Sequence, residues 1–226
     1  MSQHKVRLTF TGTAGQSFGA WNAGGLYLEL IGDGNDYVGK GMAGGRIVVR
    51  PPEGVSFTPH ESTIIGNTCL YGATGGKLYV AGSGGERFAV RNSGCKAVIE
   101  GIGDNGCEYM TGGAVTVLGK TGVNFGAGMT GGFAYIYNED GCFEKRLNPE
   151  FVEIVALDEH VVHRENLRGI IGKHYDRTGS LRAEEILADF DEISKKFVLV
   201  KPKSMDVKDL LGHHGSTEKE LLISAQ

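Results

Sequence analysis

One short pattern recurs six times between residues 24 and 137 and dominates the chain. Each copy has a small residue, one or two glycines, and then a run of mostly apolar and β-branched residues. The copies lie at residues 23–28, 43–49, 74–80, 93–99, 111–117 and 130–136. The glycines that we expect to form the turns are Gly25, Gly45, Gly76, Gly94, Gly113 and Gly132.

The copies are spaced almost evenly. We aligned the copies on their second glycine, which Cys95 replaces in the fourth copy. The distances between successive copies are then 20, 31, 19, 18 and 19 residues. The long step exceeds an ordinary one by about a dozen residues, and it contains residues 50–60, with three of the five prolines of the chain. Because proline removes a backbone donor and fixes φ, this stretch predicts a loop that bulges out between two repeats.

A period near 19 residues, with strand-forming residues in phase, indicates stacked coils. We therefore predict a mainly β fold. It is a single-stranded, right-handed parallel β-helix of about six to seven coils, with a C-terminal helical segment packed on it. The left-handed hexapeptide type would need an aliphatic residue at every sixth position, whereas this chain has Val98, Asp104, Met110 and Thr116.

Stacking has two consequences. Replacing Gly112 or Gly131 by valine should destabilise the stack, through overpacking and through strain at positive φ. The first strand, at residues 6–10, should expose the edge of the opening coil at residues 12–22. Because an exposed edge invites pairing and aggregation, we expect another domain to cover it.

Glycine usage divides the chain. Of its 37 glycines, 32 lie at or before Gly141. We predict a glycine-rich β-helix domain at residues 6–155, a C-terminal helical segment of the same domain at 156–203, and a polar tail at 204–226 that we expect to be mobile.

The helical segment contains two predicted helices. The first is expected to be capped by Asp158 and to carry Val161, Leu167, Ile170 and Ile171. The first helix should end at residues 178–180. A second helix should follow, with these residues on one face: Ala183, Ile186, Leu187, Phe190 and Ile193. Extended segments are predicted at residues 151–155 and 197–202, and the helical pair should lie against the side or end of the stack and seal it.

Charge and hydropathy exclude several classes of function. The net charge of −4 provides no basic face for nucleic acid. No apolar run approaches the roughly 20 residues that a membrane helix needs. The chain also has no charged-then-apolar leader, so we expect a cytoplasmic protein without a membrane or nucleic-acid partner.

The four cysteines are predicted to be reduced. Cys69, Cys95, Cys107 and Cys142 lie far apart without a C-x-x-C pair, and no histidine stands at partner spacing. We therefore expect buried thiols and no metal site.

Three glycine patterns match the dinucleotide fingerprint G-x-G-x-x-G, at residues 39–44, 101–106 and 126–131. That motif needs a helix after it, so that the pyrophosphate meets the helix N-terminus, but extended segments follow here. Residues 118–121 resemble a phosphate loop, but Ala114 stands where its first glycine is required. We interpret all four as turns of the repeat and expect no cofactor in this chain.

Charged residues cluster in the predicted turns: Asp33, Asp36, Lys40, Glu86, Arg87, Arg91, Asp104 and Glu108. They could form a polysaccharide-cleaving site, solvate the turns, or contact a neighbouring domain. The candidates for such an interface are Arg87, Arg91, Asn92, Asp104 and Glu108. The histidines show no catalytic grouping and are expected at the surface: His160, His163, His174, His213 and His214.

The chain resembles the C-terminal domain of the large (alpha) subunit of bacterial glutamate synthase. The resemblance covers residues 6–226 and rests on the strings at 12–19, 32–41, 86–94, 101–113 and 118–129. The same glycine-repeat domain occurs, more distantly, in a formylmethanofuran dehydrogenase subunit.

This resemblance implies a structural role. In the family, the amidotransferase, the FMN site and the iron–sulfur cluster lie upstream, and the β-helix domain holds the amidotransferase and synthase domains in place. The resemblance implies as partners the remaining large-subunit domains and the small NADPH-oxidising subunit. Since most of the family subunit is missing, we expect an excised domain or a separately encoded piece. The alternatives are a scaffold in a redox complex of the formylmethanofuran dehydrogenase type and a carbohydrate-active β-helix protein.

Overall fold

Parallel strands stacked coil on coil form the body of the protein, whose residues 5–211 are described by the computed structural model. The strands are β1 (Val6–Ala14), β2 (Leu26–Gly34), β3 (Ala43–Arg50), β4 (Thr63–Ile65), β5 (Gly75–Gly84), β6 (Ser93–Gly101), β7 (Thr111–Val117) and β8 (Gly131–Tyr137). All but the short β4 follow one another in the sheet in chain order, and β4 pairs with β5. The predicted mainly β parallel solenoid is therefore confirmed, while its right-handed sense stays a prediction.

The pairing register reproduces the repeat. Tyr27 lies opposite Arg46, Arg46 opposite Lys77, and Lys77 opposite Lys96, so that residues one period apart share a rung. The long step between Arg46 and Lys77 carries the proline-rich stretch outside this ladder, with a short 3-10 helix at Pro59–Glu61. The predicted bulging loop is confirmed.

Five of the six turn glycines adopt a backbone conformation that favours glycine. Their φ angles are positive, between 71° and 91°, at Gly25, Gly45, Gly76, Gly113 and Gly132. Gly94 is different, because it does not adopt a left-handed φ and is instead constrained by space. A Cβ there would collide with the carbonyl oxygen of Thr74 in the preceding coil. Position 94 therefore requires a residue without a side chain, even though its φ lies in the region that all residues adopt.

The inside of the coils forms a continuous apolar core of stacked aliphatic and aromatic side chains. Cys69, Cys95 and Cys107 lie in this core, and Cys142 is half-buried near its end. All four are free thiols, as predicted. Burial raises the pKa of the Cys69 and Cys95 thiols to about 12, because the thiolate would lose its hydration.

We expect these thiols to be unreactive in the folded protein. At pH 8 a thiol with a pKa near 12 is almost wholly protonated, and the thiolate is the nucleophile. Ellman's reagent should therefore titrate Cys142 first, with the three buried cysteines reacting only after denaturant is added. Fast labelling of Cys69 or Cys107 in native buffer, located by mass spectrometry, would contradict the described core.

The C-terminal part contains β9 (Val152–Ala156), α1 (Val161–Thr178), α2 (Leu181–Ala188), α3 (Phe190–Ile193) and β10 (Phe197–Pro202). Strand β10 runs antiparallel between β8 and β9 and so covers the last parallel strand. The sequence predicted two extended pieces here, and the structure confirms both. Their pairing with β8 was not predicted.

Two details of the helical prediction were wrong. Asp158 does not cap α1, since the N-cap position is His160 and no side chain caps that end. The predicted second helix is divided at Asp189, whose φ of −129° leaves the helical range between α2 and α3. Val161 lies in α1, as predicted, with an exposed side chain at the first residue of the helix. The predicted break after Thr178 is confirmed, with a left-handed Gly179.

The helices pack on the outer face of the sheet and form a second core. Leu167 and Ile171 of α1 lie among Val98, Phe133 and Tyr135 of the strands. The helical pair thus lies against the side of the stack, one of the two predicted positions. The first residues of the predicted tail also pack on this core through Val207, Leu210 and Leu211. His213 and His214 lie outside the described residues.

Candidate functional site

At one corner of every coil, three alternate residues adopt a left-handed backbone. After β5 they are Arg87, Ala89 and Arg91, with φ of 58°, 59° and 55°. The equivalent residues of the other coils are Ser17, Gly19, Trp21, Tyr37, Gly39, Gly41, Thr68, Leu70, Gly72, Asn105, Cys107, Tyr109, Asn124, Gly126 and Gly128. This corner column explains two of the three patterns that mimic a nucleotide fingerprint, because the pairs Gly39/Gly41 and Gly126/Gly128 occupy left-handed positions.

Hydrogen bonds between coils hold this strained backbone in place. The Arg87 N–H donates to the Asp104 carbonyl at 2.8 Å, and the Arg91 N–H donates to the Glu108 carbonyl at 2.9 Å, both in the next coil. The Ala89 N–H donates in the opposite direction, to Cys69 in the previous coil. A non-glycine residue in this conformation costs about 1–2 kcal/mol, so the corner is a rigid support for the side chains that it projects.

The predicted interface candidates separate into two groups. Arg87 and Arg91 are exposed on the corner column. An Arg87 guanidinium nitrogen lies 3.2 Å from a Glu108 carboxylate oxygen, and the Arg91 guanidinium lies 6.0 Å from the centre of the Tyr109 ring. These four residues form a polar and aromatic patch of the kind that contacts partners.

Two further candidates have internal roles. The Asp104 carboxylate accepts a hydrogen bond from the Val123 N–H at 2.8 Å, which fixes the next turn. Asn92 is fully buried, where its side chain accepts from the Cys95 N–H at 2.9 Å and donates to the Cys95 carbonyl at 3.0 Å. Asn92 therefore presents no surface to a neighbour, and its predicted interface role is corrected to that of a turn-forming residue.

Aromatic side chains on the corner column lie over glycines of the following coil. Trp21 lies against Gly41, and Tyr109 lies against Gly128, so closely that a Cβ on either glycine would collide with the ring. Both rings are largely exposed, at 74% for Trp21 and 52% for Tyr109. Exposed aromatic rings held on a rigid backbone are typical of interaction surfaces.

The first coil exposes the inside of the solenoid. In β1, Leu8 lies opposite Leu28 and Phe10 opposite Leu30, and both partners are core residues. Leu8 and Phe10 are nevertheless 44% exposed each, because β1 pairs on one side only among residues 5–211. The result is an apolar end whose strand edge has no partner within this described range.

The last coil is closed. The Phe125 N–H donates to the Arg146 carbonyl, and the Asn148 N–H donates to the Phe125 carbonyl, so residues 146–148 cover the last turn of the corner column. The Phe143 ring packs edge-on against Phe125 at 5.4 Å. One end of the stack is therefore sealed by the chain itself, whereas the described part of the chain leaves the β1 end open.

Two histidines that the sequence placed at the surface are buried. The His174 ring nitrogen Nε2 lies 3.1 Å from the Glu100 carboxylate, which also accepts a hydrogen bond from the Ser180 hydroxyl. The His163 ring donates to the Val207 carbonyl at 3.0 Å and contacts the Tyr135 hydroxyl at 2.7 Å. Burial is the main cause that lowers the His163 pKa. The surface expectation was wrong for both.

The Glu100 cluster fastens the helices to the solenoid. The Ser180 hydroxyl donates a hydrogen bond to the Glu100 carboxylate and not to a histidine. A nucleophilic serine needs a base such as histidine to accept its proton, so Ser180 is not arranged as a nucleophile. Ser180 also accepts the Ala183 N–H as the N-cap of α2. Glu100 was not predicted from the sequence, where the only signal for this cluster was a serine at the capping position after Gly179. We conclude that this cluster is a structural tether.

The structure offers no support for nucleotide or metal chemistry in the patterns noted above. The glycine patterns lead into strands β3, β7 and β8. Within residues 5–211, no group of three histidine, cysteine or acidic residues is placed to hold a metal ion. No helix in the same part of the chain is long and apolar enough to cross a membrane.

Comparison with known proteins identifies the family. The model of the GXGXG motif family matches residues 1–203. The chain is 49% identical to the NADH glutamate synthase of Schizosaccharomyces pombe over 95% of its length, 50% identical to ferredoxin-dependent glutamate synthase 2 of Synechocystis over 97%, and 47% identical to the large chain of the NADPH glutamate synthase of Bacillus subtilis over 90%. It spans only 10–14% of the length of these relatives. The chain therefore belongs to the GXGXG motif family, and the three relatives named here, which it matches over most of its own length, are glutamate synthases.

Proposed function

We propose that this chain is a non-catalytic structural domain of a glutamate synthase large subunit. Such an enzyme converts glutamine and 2-oxoglutarate into two molecules of glutamate with reducing power from an electron donor. In this proposal the chain holds the amidotransferase and synthase domains in their relative positions. The activity belongs to the rest of the subunit.

The open end of the solenoid is the observation that carries this proposal. Leu8 and Phe10 extend the apolar core to a strand edge that residues 5–211 leave uncovered. An exposed edge with apolar inward-facing residues is a pairing hazard unless another element covers it. A neighbouring domain seated on β1 would cover this edge, and the corner column with Arg91 and Tyr109 would give it a second, polar contact.

The names of the relatives support a role independent of the electron donor. Chains about 50% identical to this one occur in glutamate synthases named for NADH, for NADPH and for ferredoxin. A domain that contacted the donor would be expected to differ among them. We therefore place FMN, the iron–sulfur cluster and the electron-donor site in other parts of the assembly. The proposed partners are the remaining large-subunit domains, with the small NADPH-oxidising subunit as a further one, in the cytoplasm.

The first test is enzymatic. The purified chain should show no glutaminase activity, no flavin absorbance after reconstitution with FMN, and no NADPH oxidation, because no described residues form the required sites. Assays on the same preparation mixed with the other large-subunit domains provide the positive control. Robust turnover or stoichiometric flavin binding by the chain alone would contradict the proposal.

The second test concerns the open end. The double variant Leu8→Asp/Phe10→Asp should bind the remaining large-subunit domains from the same source at least tenfold more weakly, because charges would replace apolar contacts. The control is Leu181→Asp, since Leu181 is a leucine with 70% exposure at the start of α2, away from β1. Equal binding by the double variant and the control, measured by surface plasmon resonance, would rule out the open end as the docking surface.

A further inference from the structure

A cavity of about 470 Å³ lies between the outer face of the sheet and α1. Its floor is made by buried residues of the strands, among them Val98, Ala114 and Phe133. The side chain of Thr116, which is almost fully buried, also lines it. The volume is in the range of small-molecule sites, and an apolar floor with a few polar groups is their usual lining.

Three lysines surround this cavity. Lys77 and Lys96 come from adjacent strands, and Lys173 comes from α1 on the opposite side. All three are exposed, and none of them is in an ion pair with a carboxylate of residues 5–211. The cavity therefore combines an apolar floor with three ammonium groups that the described part of the chain does not neutralise.

The lysines belong to a longer column of positive charge. Lys96 pairs with Lys77, Lys77 with Arg46, and Arg46 with Tyr27, which in turn pairs with Arg7. Neighbouring strands lie about 4.8 Å apart, and like charges directly opposite each other are destabilising. A chain with a net charge of −4 thus concentrates cations on one face, where they repel one another.

The electrostatics of Arg46 agree with this geometry. Its pKa is lowered by burial first, and then by the nearby charges of Arg177 and Arg7. These cations continue the lysine column along the sheet, where Glu29 and Asp176 line the same surface. No carboxylate of the described residues lines the cavity itself, so an anion there would relieve the repulsion among the lysines.

We propose that this cavity binds a small organic anion with two or more carboxylate or phosphate groups. Its anionic groups would contact Lys77, Lys96 and Lys173, its carbon skeleton would lie on the apolar floor, and the Thr116 hydroxyl would hydrogen-bond a polar atom. A small ligand fits better than an extended acidic peptide, because α1 and Leu211 bound the cavity at the side. This proposal does not depend on the role of the chain in a glutamate synthase.

The test is ligand binding to the full chain by isothermal titration calorimetry. The probes are citrate, which carries three carboxylates, and inorganic pyrophosphate. Comparing their affinities shows whether the cavity prefers carboxylate or phosphate groups. Acetate, with a single negative charge, is the control. Citrate or pyrophosphate should bind at least tenfold more tightly than acetate, and binding should weaken between 50 and roughly 300 mM NaCl because ion pairs are screened.

Matched variants locate the site. Lys77→Gln/Lys96→Gln/Lys173→Gln should lose at least tenfold in affinity, whereas Lys195→Gln should bind like the parent, since Lys195 is an exposed lysine paired with Glu192 elsewhere. Thermal melting confirms that both variants are folded. The proposal is overturned if neither multivalent probe binds at millimolar concentration, if the triple variant binds as well as the parent, or if only a poly-glutamate peptide binds.

Discussion

Gly131→Val should lower the free energy of unfolding by about 3 kcal/mol or more, at the upper end of the usual cost of overpacking. Gly131 begins β8, and a Cβ there would collide with the carbonyl oxygen of Thr111 in the coil below. A backbone carbonyl within a hydrogen-bonded ladder cannot move aside as a side-chain tip can. For a domain of this size the melting temperature should fall by about 6–12 °C, as measured by circular dichroism.

The control for this prediction is Gly169→Ala. Gly169 is exposed within α1, with no atom near the position of an added Cβ. Alanine there should stabilise the protein by about 0.5–1 kcal/mol, because glycine is a poor helix former. A Gly131→Val melting curve that superimposes on that of the parent would contradict the close approach of the coils.

Of the two causes that the sequence suggested, overpacking and strain at positive φ, the structure supports only overpacking. Gly112 and Gly131 were expected to be strained by positive φ, but the left-handed residues are their neighbours Gly113 and Gly132. Gly112 meets the Ser93 carbonyl as Gly131 meets that of Thr111. The cost of substitution is therefore one of space between coils.

Glu100→Ala should destabilise the protein by about 3 kcal/mol, in the range found when one member of a buried polar pair is removed. The Glu100 carboxylate is 1% exposed and is the acceptor for the Ser180 hydroxyl and the His174 ring. Both donors would be left buried without a partner. Urea unfolding monitored by circular dichroism measures the change.

Two variants make this prediction specific. Glu165→Ala, at an exposed position of α1, should change stability by less than about 0.5 kcal/mol. The Glu100→Gln protein keeps an acceptor oxygen, so its free energy of unfolding should lie between those of the Glu100→Ala and Glu165→Ala proteins. Equal stability of the Glu100→Ala and Glu165→Ala proteins would show that the tether contributes nothing.

The sequence predicted the solenoid because its signals are local and repeated. Each coil carries its own glycines and its own apolar run, so the period could be counted without knowing any contact. The loop after Arg50 was predictable for the same reason, since its three prolines lie within nine consecutive residues, from Pro51 to Pro59.

What the sequence did not reveal depends on distant pairs. Glu100 and His174 meet across 74 residues, and β10 pairs with β8 from about 60 residues away. Lys77 and Lys96 become neighbours only once the register is known. The buried faces of the helices were predicted from aliphatic residues alone, so the burial of His163 was not predicted. No local sequence signal predicted the interruption of the helix at Asp189.

The proline-rich loop between β3 and β4 shows where the solenoid accepts new sequence. Arg46 still pairs in register with Lys77 although a dozen extra residues intervene, so the insertion leaves the rungs on either side aligned. Gly54, near the middle of that loop, is exposed with open space around it. A reporter peptide or affinity tag grafted beside Gly54 would leave the stack intact, whereas the tightly bonded corner at Ala89 would be disrupted by a single added residue.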